Sequence, residues 1–250
     1  MHILEYLSRE PFAVVGHRGA HGVRPDNTLA AFRYAVEAGA DIVEMDVRRT
    51  KDGTLILLHE RDFKHLIGRA IPPGQLDFAF IREHIRVEGE PIPTLEEALK
   101  EVAGRVGVFV EIKEPETTEQ VLETLKRCGI SESVAVISFW DEALEQTRRL
   151  APGQTTGLIY ARAPGRITDA HALGATIVLP HVRLATARAN AFAHKLRLRV
   201  VSWIINDEET ARQQVENGTD GLATDEPAWL VQWREARART EQISMNTRRS

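Results

Sequence analysis

Ile42-Val43-Glu44-Met45-Asp46-Val47-Arg48-Arg49-Thr50-Lys51-Asp52-Gly53-Thr54-Leu55-Ile56-Leu57-Leu58-His59 is the stretch on which the fold turns. Ile42 to Val47 is a short apolar, β-rich run, the composition of a buried strand, yet Glu44 and Asp46 fall within it. Residues two apart on a strand share a face, so the two carboxylates point the same way. Asp52-Gly53 is a strong two-residue hairpin signal, and it predicts that Thr54 to His59 returns as an antiparallel strand. With Asp52-Gly53 as the loop, Lys51 pairs with Thr54, and counting back places Asp46 directly opposite His59.

Outward from this stretch, further apolar runs recur at Phe12 to Gly16, Val108 to Ile112, Val134 to Phe139, Thr156 to Tyr160, Thr176 to Leu179, Val200 to Ile205 and Gly221 to Thr224. With Ile42 to Val47 they predict eight strands. Between them lie segments of helical period: Thr28 to Ala38, Thr94 to Val102, Thr117 to Cys128, Asp141 to Leu150, Arg183 to Lys195 and Asp207 to Asn217. Thr94 with Glu97 three residues on is a capping box, and Asn206-Asp207 marks another helix start. Strand and helix alternating in this way is the pattern of parallel strands joined by crossover helices. It fits a (β/α)8 barrel and also an open doubly wound sheet, but no GxGxxG follows the first strand, where the chain reads Gly16-His17-Arg18-Gly19. A chain of 250 residues suits a single barrel domain over 1–250. Leu66 to Glu90 is irregular in pattern and predicts a connection extending over the barrel mouth. Arg234 to Ser250 is highly polar and predicts a helical end that frays into a flexible tail.

The formal charge is only -4, so no global basic field draws the chain to nucleic acid or anionic membrane, and a phosphate-bearing substrate needs local positive charge. Glu5, Arg9 and Glu10 break the N-terminal stretch where a signal peptide needs an apolar run, and no segment approaches transmembrane length. The expectation is a cytoplasmic protein without stable membrane insertion. The single cysteine, Cys128, excludes an internal disulfide and reads as an incidental thiol.

Four strand ends supply polar groups that a barrel core has no other use for: His17-Arg18, Glu44 with Asp46, His59, and Glu111 with Lys113. In barrel enzymes the C-terminal strand ends form the active-site mouth. Three carboxylates gathered there repel unless a cation offsets them, and oxygen-only ligation points to one hard divalent ion, Mg2+ or Ca2+. Glu44, Asp46 and Glu111 are therefore candidate metal ligands, although the Glu-Ile-Lys alternation at Glu111, read in isolation, is also that of a solvent-facing strand end. His17 and His59 suit proton transfer near neutral pH, one removing a proton from the attacking oxygen and the other supplying one to the leaving alkoxide. Arg18 and Lys113 either hold phosphate oxygens or pair with the carboxylates. His65, His84, His171, His181 and His194 read as structural hydrogen bonders, and His21 is left open.

Taken in order, these residues resemble the signature of the glycerophosphodiester phosphodiesterase family. The motifs are His17-Arg18-Gly19, Pro25-Asp26-Asn27-Thr28-Leu29-Ala30-Ala31-Phe32, Glu44-Met45-Asp46-Val47, Thr50-Lys51-Asp52-Gly53, His59, Glu111-Ile112-Lys113, Trp203 with Asn206, and Thr224-Asp225. The resemblance spans nearly the whole chain. It implies a barrel with a hairpin-like insertion, a metal at Glu44, Asp46 and Glu111, catalytic His17 and His59, and Trp203 as an apolar wall of the substrate pocket. It also implies hydrolysis of a small phosphodiester to glycerol 3-phosphate and an alcohol. Two departures bear on substrate choice: Asp26 stands where the family usually has Glu, and His59-Glu60-Arg61-Asp62-Phe63 replaces the usual His-Asp run. Action on lipid phosphodiesters, as lysophospholipase D or phospholipase C, is the alternative if Phe63, Leu66, Ile67, Phe78 and Phe80 form an exposed rim. A noncatalytic phosphate-binding barrel is the other.

Overall fold

In the computed structural model, which describes residues 1–247 and side chains through residue 240, the apolar runs become strands and the segments of helical period become helices. The strands are β1 (Ala13–Gly16), β2 (Ile42–Arg49), β3 (Leu55–Leu57), β4 (Arg86–Val87), β5 (Glu90–Pro91), β6 (Gly107–Ile112), β7 (Val134–Ser138), β8 (Thr155–Tyr160), β9 (Ile177–Pro180), β10 (Arg199–Ser202) and β11 (Gly221–Thr224). The helices are α1 (Ile3–Tyr6), α2 (Leu29–Glu37), α3 (Lys64–Ile67), α4 (Phe78–His84), α5 (Leu95–Val102), α6 (Thr118–Cys128), α7 (Asp141–Leu150), α8 (Ile167–Ala172), α9 (Ala187–Lys195), α10 (Glu208–Glu216) and α11 (Pro227–Thr247). β1, β2 and β6 to β11 pair side by side in parallel, and the β1–β2 pairing closes the ring. This is an eight-stranded parallel barrel with helices between the strands.

The two-residue period sorts the side chains. On β2 the residues Val43, Met45 and Val47 face outward into the layer between sheet and helices, as Val108, Val110 and Ile112 do on β6. Ile42 and Phe109 face inward and pack with Val15, Ile137 and Val201 in the barrel interior. Glu44, Asp46 and Glu111 continue that inward face toward the C-terminal ends. The opposite end is sealed by α1, whose Ile3, with Leu7 just beyond it, joins the interior cluster. Gly107 makes that seal possible: a β-carbon there would lie 2.6 Å from Ile3 Cδ1 and 3.0 Å from Tyr6 Cδ2.

Thr94 and Glu97 form the expected capping box on α5. Four short helices have no counterpart in the periodicity reading: α1, α3, α4 and α8, each of seven residues or fewer. α8 is six residues long, too short for a repeat to declare itself. α11 begins with Pro227, a residue suited to a first helical position, and runs to Thr247 through the polar stretch in which a helical end was expected. Within that stretch Arg234 is buried, donating to the Phe12 carbonyl at 3.0 Å and pairing with Asp41; side chains from residue 241 and residues 248–250 lie outside the described residues.

β3 does pair antiparallel with β2, but one residue out of the expected register. Val47 faces Leu57, and Leu58, not His59, donates its N–H to the Asp46 carbonyl at 3.0 Å. The loop is a residue longer than the Asp-Gly signal implied, because Thr50 closes it: its N–H bonds the Thr54 carbonyl, and its hydroxyl accepts from Thr54 N at 2.9 Å. The segment after the hairpin is not irregular. α3, α4 and the β4–β5 hairpin enclose their own small core of Ile56, Leu58, Phe63, Ile81, Ile85, Val87 and Ile92.

Candidate active site

Each inward-facing polar residue owes its position to an identifiable local device. His17 follows β1 and continues its pairing, its N–H donating to the Thr224 carbonyl at 2.9 Å. Arg18 then takes a left-handed backbone (φ 49°), uncommon for a residue with a β-carbon. This aims its N–H at Glu44 Oε2, 2.9 Å away. Gly19 follows at φ 84°, packed so closely on α2 that a β-carbon would come within 2.8 Å of the Ala31 backbone carbon.

Asn27, also left-handed (φ 56°), clamps β2 from both sides. Its Oδ1 accepts from Asp46 N at 3.0 Å and its Nδ2 donates to Asp46 Oδ2 at 2.8 Å. The β2–β6 register sets Asp46 beside Glu111. Ligand oxygens of Glu44, Asp46 and Glu111, all buried, lie within 4.8 Å of one another; among the described residues no other group of three metal-ligating side chains converges so closely.

Burial and the neighbouring Asp46 and Glu111 raise the Glu44 pKa well above the ordinary carboxylate value. Burial likewise pushes Glu111 up to about 7, with Lys113 opposing and Asp46 adding to the rise. Asp46 goes the other way: burial disfavours its charge, but Lys113, His59 and Arg18 outweigh it and hold the carboxyl below the usual range. Lys113 Nζ lies 2.8 Å from Asp46 Oδ1 and 2.6 Å from Glu111 Oε1. Arg18 Nη1 donates to Asp26 Oδ2 at 3.0 Å, and its Nε is 3.5 Å from Asp46. Both cations thus engage the carboxylates, one of the two roles open to them from the sequence.

A divalent cation fits this donor set. Glu44 Oε1 is buried with no hydrogen-bond donor, an arrangement that is costly unless something positive faces that oxygen. Lys113 and Arg18 set two positive charges against three ionised carboxylates, and a hard ion offsets the negative charge that remains.

His17 Nδ1 lies 2.7 Å from Asp225 Oδ1, and Asn206 Nδ2 donates to Asp225 Oδ2 at 2.6 Å. Burial raises the Asp225 pKa, but the bonds from His17 and Asn206 outweigh it and keep the carboxylate ionised. His59 reaches the same cavity by a different route. Continuing the pleat would turn it away from Asp46, but the ladder ends at Leu57 and the chain bends. Arg48 holds the bend, its Nη2 donating to the His59 carbonyl at 2.9 Å while Nη1 bonds Glu114 at 3.1 Å. His59 Nδ1 is 2.9 Å from Glu60 Oε1. Burial lowers the His59 pKa, opposed in part by Asp46.

The resulting cavity, of about 230 Å³, has two unlike halves. His17, Arg18, Glu44, His59, Glu111 and Lys113 make one wall; Phe139, Ile159, Leu179, Val201, Trp203 and Ala223 make the other. Trp203 is fixed by its Nε1–H donating to the Leu179 carbonyl at 2.8 Å. The cavity's lining contains no residue from 60–92, so the segment expected over the mouth stands beside it. Of the rim proposed there, Phe63 is buried and only Phe80 is exposed. The residues that strand-end reasoning passed over are the holders, Asn27, Asp225, Arg48 and Glu60. Asn27 and Asp225 were in quoted motifs, but a side chain that orients another has no periodicity of its own.

Comparison with known proteins agrees with this geometry. The profile of the glycerophosphoryl diester phosphodiesterase family matches residues 17–229. The chain is 28% identical to the glycerophosphodiester phosphodiesterase of Caldanaerobacter subterraneus, covering 87% of this chain and 96% of that one. It is 27% identical to that of Bacillus altitudinis, over 89% and 98% of the two chains. The crystal structure of glycerophosphodiester phosphodiesterase from Thermotoga maritima superposes with a TM-score of 0.76 at 26% identity, covering 90% of this chain and 99% of that one.

Proposed function

The chain belongs to the glycerophosphoryl diester phosphodiesterase family and is a phosphoric diester hydrolase, and from that premise we propose that it cleaves glycerophosphodiesters to glycerol 3-phosphate and an alcohol, using one divalent cation at Glu44, Asp46 and Glu111 and proton transfer by His17 and His59. The observation that carries the proposal is that Glu44 and Glu111 line one cavity with both imidazoles, while Asp46, buried beside them, completes a group of ligand oxygens within 4.8 Å of one another. When bound, the cation supplies positive charge to the phosphoryl oxygens and offsets the carboxylates.

The chain's own residues do the rest. With Asp225 accepting from His17 Nδ1–H, the Nε2 lone pair is left to accept a proton. Glu60 orients His59 in the same way. One imidazole takes the proton of the attacking oxygen while the other delivers one to the departing alkoxide. Arg18 and Lys113 supply positive charge at the wall where the phosphate charge develops, and Trp203 bounds the substrate on the apolar side.

The test is release of glycerol 3-phosphate from glycerophosphocholine in the presence of Mg2+ or Ca2+. His17→Ala and His59→Ala are expected to lower turnover by about 100-fold or more with circular dichroism unchanged; full activity in either variant overturns the assignment.

A further inference from the structure

Between Asp169 and Asp207 the sequence contains no Asp or Glu, although it contains Arg183, Arg188, Lys195, Arg197 and Arg199. The fold gathers this stretch into β9, α9 and β10, so one quarter of the barrel is basic while the chain as a whole is net negative. Arg199 is committed to Asp220 at 2.7 Å. Arg183 and Arg188 are exposed without a carboxylate partner among the described residues, as is Arg162 in the loop after β8.

The turn after β7, on the same side of the mouth, exposes aromatic surface beside the cavity. Phe139 and Trp140, on the turn after β7, are 40% and 56% exposed. Arg166 joins Asp141 through bonds of 2.9 and 2.6 Å, fastening the loop that carries Arg162 to the turn that carries Trp140. Phe139 and His181 both meet Trp203 edge-on, with ring centroids 5.9 and 5.2 Å away, which brings Arg183, two residues past His181, to the same rim. Trp203 and Phe139 also line the cavity. The rim is therefore aromatic and cationic, and it runs without a break into the cavity's apolar wall.

Aromatic rings flanked by arginines are the pairing that a bilayer interface accepts: the rings enter the headgroup boundary and the cations meet anionic lipid. That apolar wall offers no side-chain partner for hydroxyl groups, whose burial there without hydrogen bonds is unfavourable. We propose that the β7–β10 side of the mouth docks on an anionic lipid bilayer, and that the site takes from it phosphodiesters bearing an acyl chain that lies along Phe139 and Trp203. The substrate half of this rests on the phosphodiesterase reading; the docking half does not.

The experiment is sedimentation of the whole chain with vesicles of phosphatidylcholine, alone or with about one-third phosphatidylserine. Binding is expected to the anionic vesicles and to weaken in high salt. Arg162→Gln with Arg183→Gln lowers the partition about 25-fold, about fivefold for each charge removed, and Trp140→Ser lowers it about tenfold. Turnover of soluble glycerophosphocholine stays unchanged in these variants, while hydrolysis of lysophosphatidylcholine presented in anionic vesicles falls with binding. Absence of a preference for anionic vesicles, or binding that neither variant alters, overturns the proposal. So does a lipid-free homodimer that Trp140→Ser dissociates, since the rim is then a protein contact. Vesicle binding with no turnover of either substrate counts instead against the phosphodiesterase reading and against the substrate half alone.

Discussion

Glu44 and Glu111 carry the sharpest consequence at the scale of single residues. Both carboxyls have raised pKa values, Glu111 to about 7, from burial and the neighbouring carboxylate of Asp46, so near neutrality a proton and a divalent cation compete for the same oxygens. The sign follows: protons leave as pH rises, so affinity for Mg2+ increases from about pH 5.5 to about pH 8, and binding near pH 6 releases protons. Calorimetry in two buffers of different ionisation enthalpy reads both quantities, and an affinity flat across that range contradicts the assignment. Asp225 makes a second case. Asp225→Asn keeps the shape but can no longer hold His17 as the Nδ1–H tautomer, so turnover is expected to fall about 100-fold or more with little change in substrate KM. Equal activity in Asp225→Asn would show that the pairing is structural.

At the scale of elements, the β2–β3 hairpin shows what the sequence made legible and what it did not. Inward and outward positions on β2 and β6 follow from the two-residue period, because one face packs on helices and the other looks into the barrel. That alternation put Glu44 and Asp46 on one face, and Glu111 joins them because Val108, Phe109, Val110 and Ile112 mark its strand as buried. Hairpin register was not legible, since Asp52-Gly53 signals a turn without fixing whether the Thr50 bonds lengthen it by a residue. Phe63, Ile81 and Ile85 sit in an appendage core made from three short elements, each below the length at which periodicity appears. His59 arrives at the cavity through the bend that Arg48 holds, a long-range contact that no local pattern encodes. Arg48→Met removes the bond to the His59 carbonyl and the link to Glu114 while keeping an apolar stem. Turnover of glycerophosphocholine is expected to drop about 10- to 100-fold through misplacement of His59 with the fold retained. An unaltered kcat would mean that the hairpin core positions the imidazole without Arg48.

Across the whole molecule, chemistry and closure occupy opposite ends of the barrel. The polar wall stands at the C-terminal strand ends, whereas α1 plugs the N-terminal end with Ile3 and Leu7, which are 0% and 1% exposed. A barrel of parallel strands separates the two tasks because its side-chain layers fill the space between them. Ile3→Ala opens a cavity against Gly107, whose lack of a side chain leaves nothing to move into the space. The expected cost is about 2–4 kcal/mol, a fall in Tm of roughly 5–12 °C for a chain of this size. Because the lost contacts lie at the far end from Glu44, His17 and His59, kcat and KM well below the transition should match those of the native chain. Thermal unfolding and steady-state kinetics on the same preparation decide the matter. Loss of turnover at temperatures where Ile3→Ala remains folded would mean that strain passes through the barrel interior, and the plug would then help to shape the site as well as seal the core.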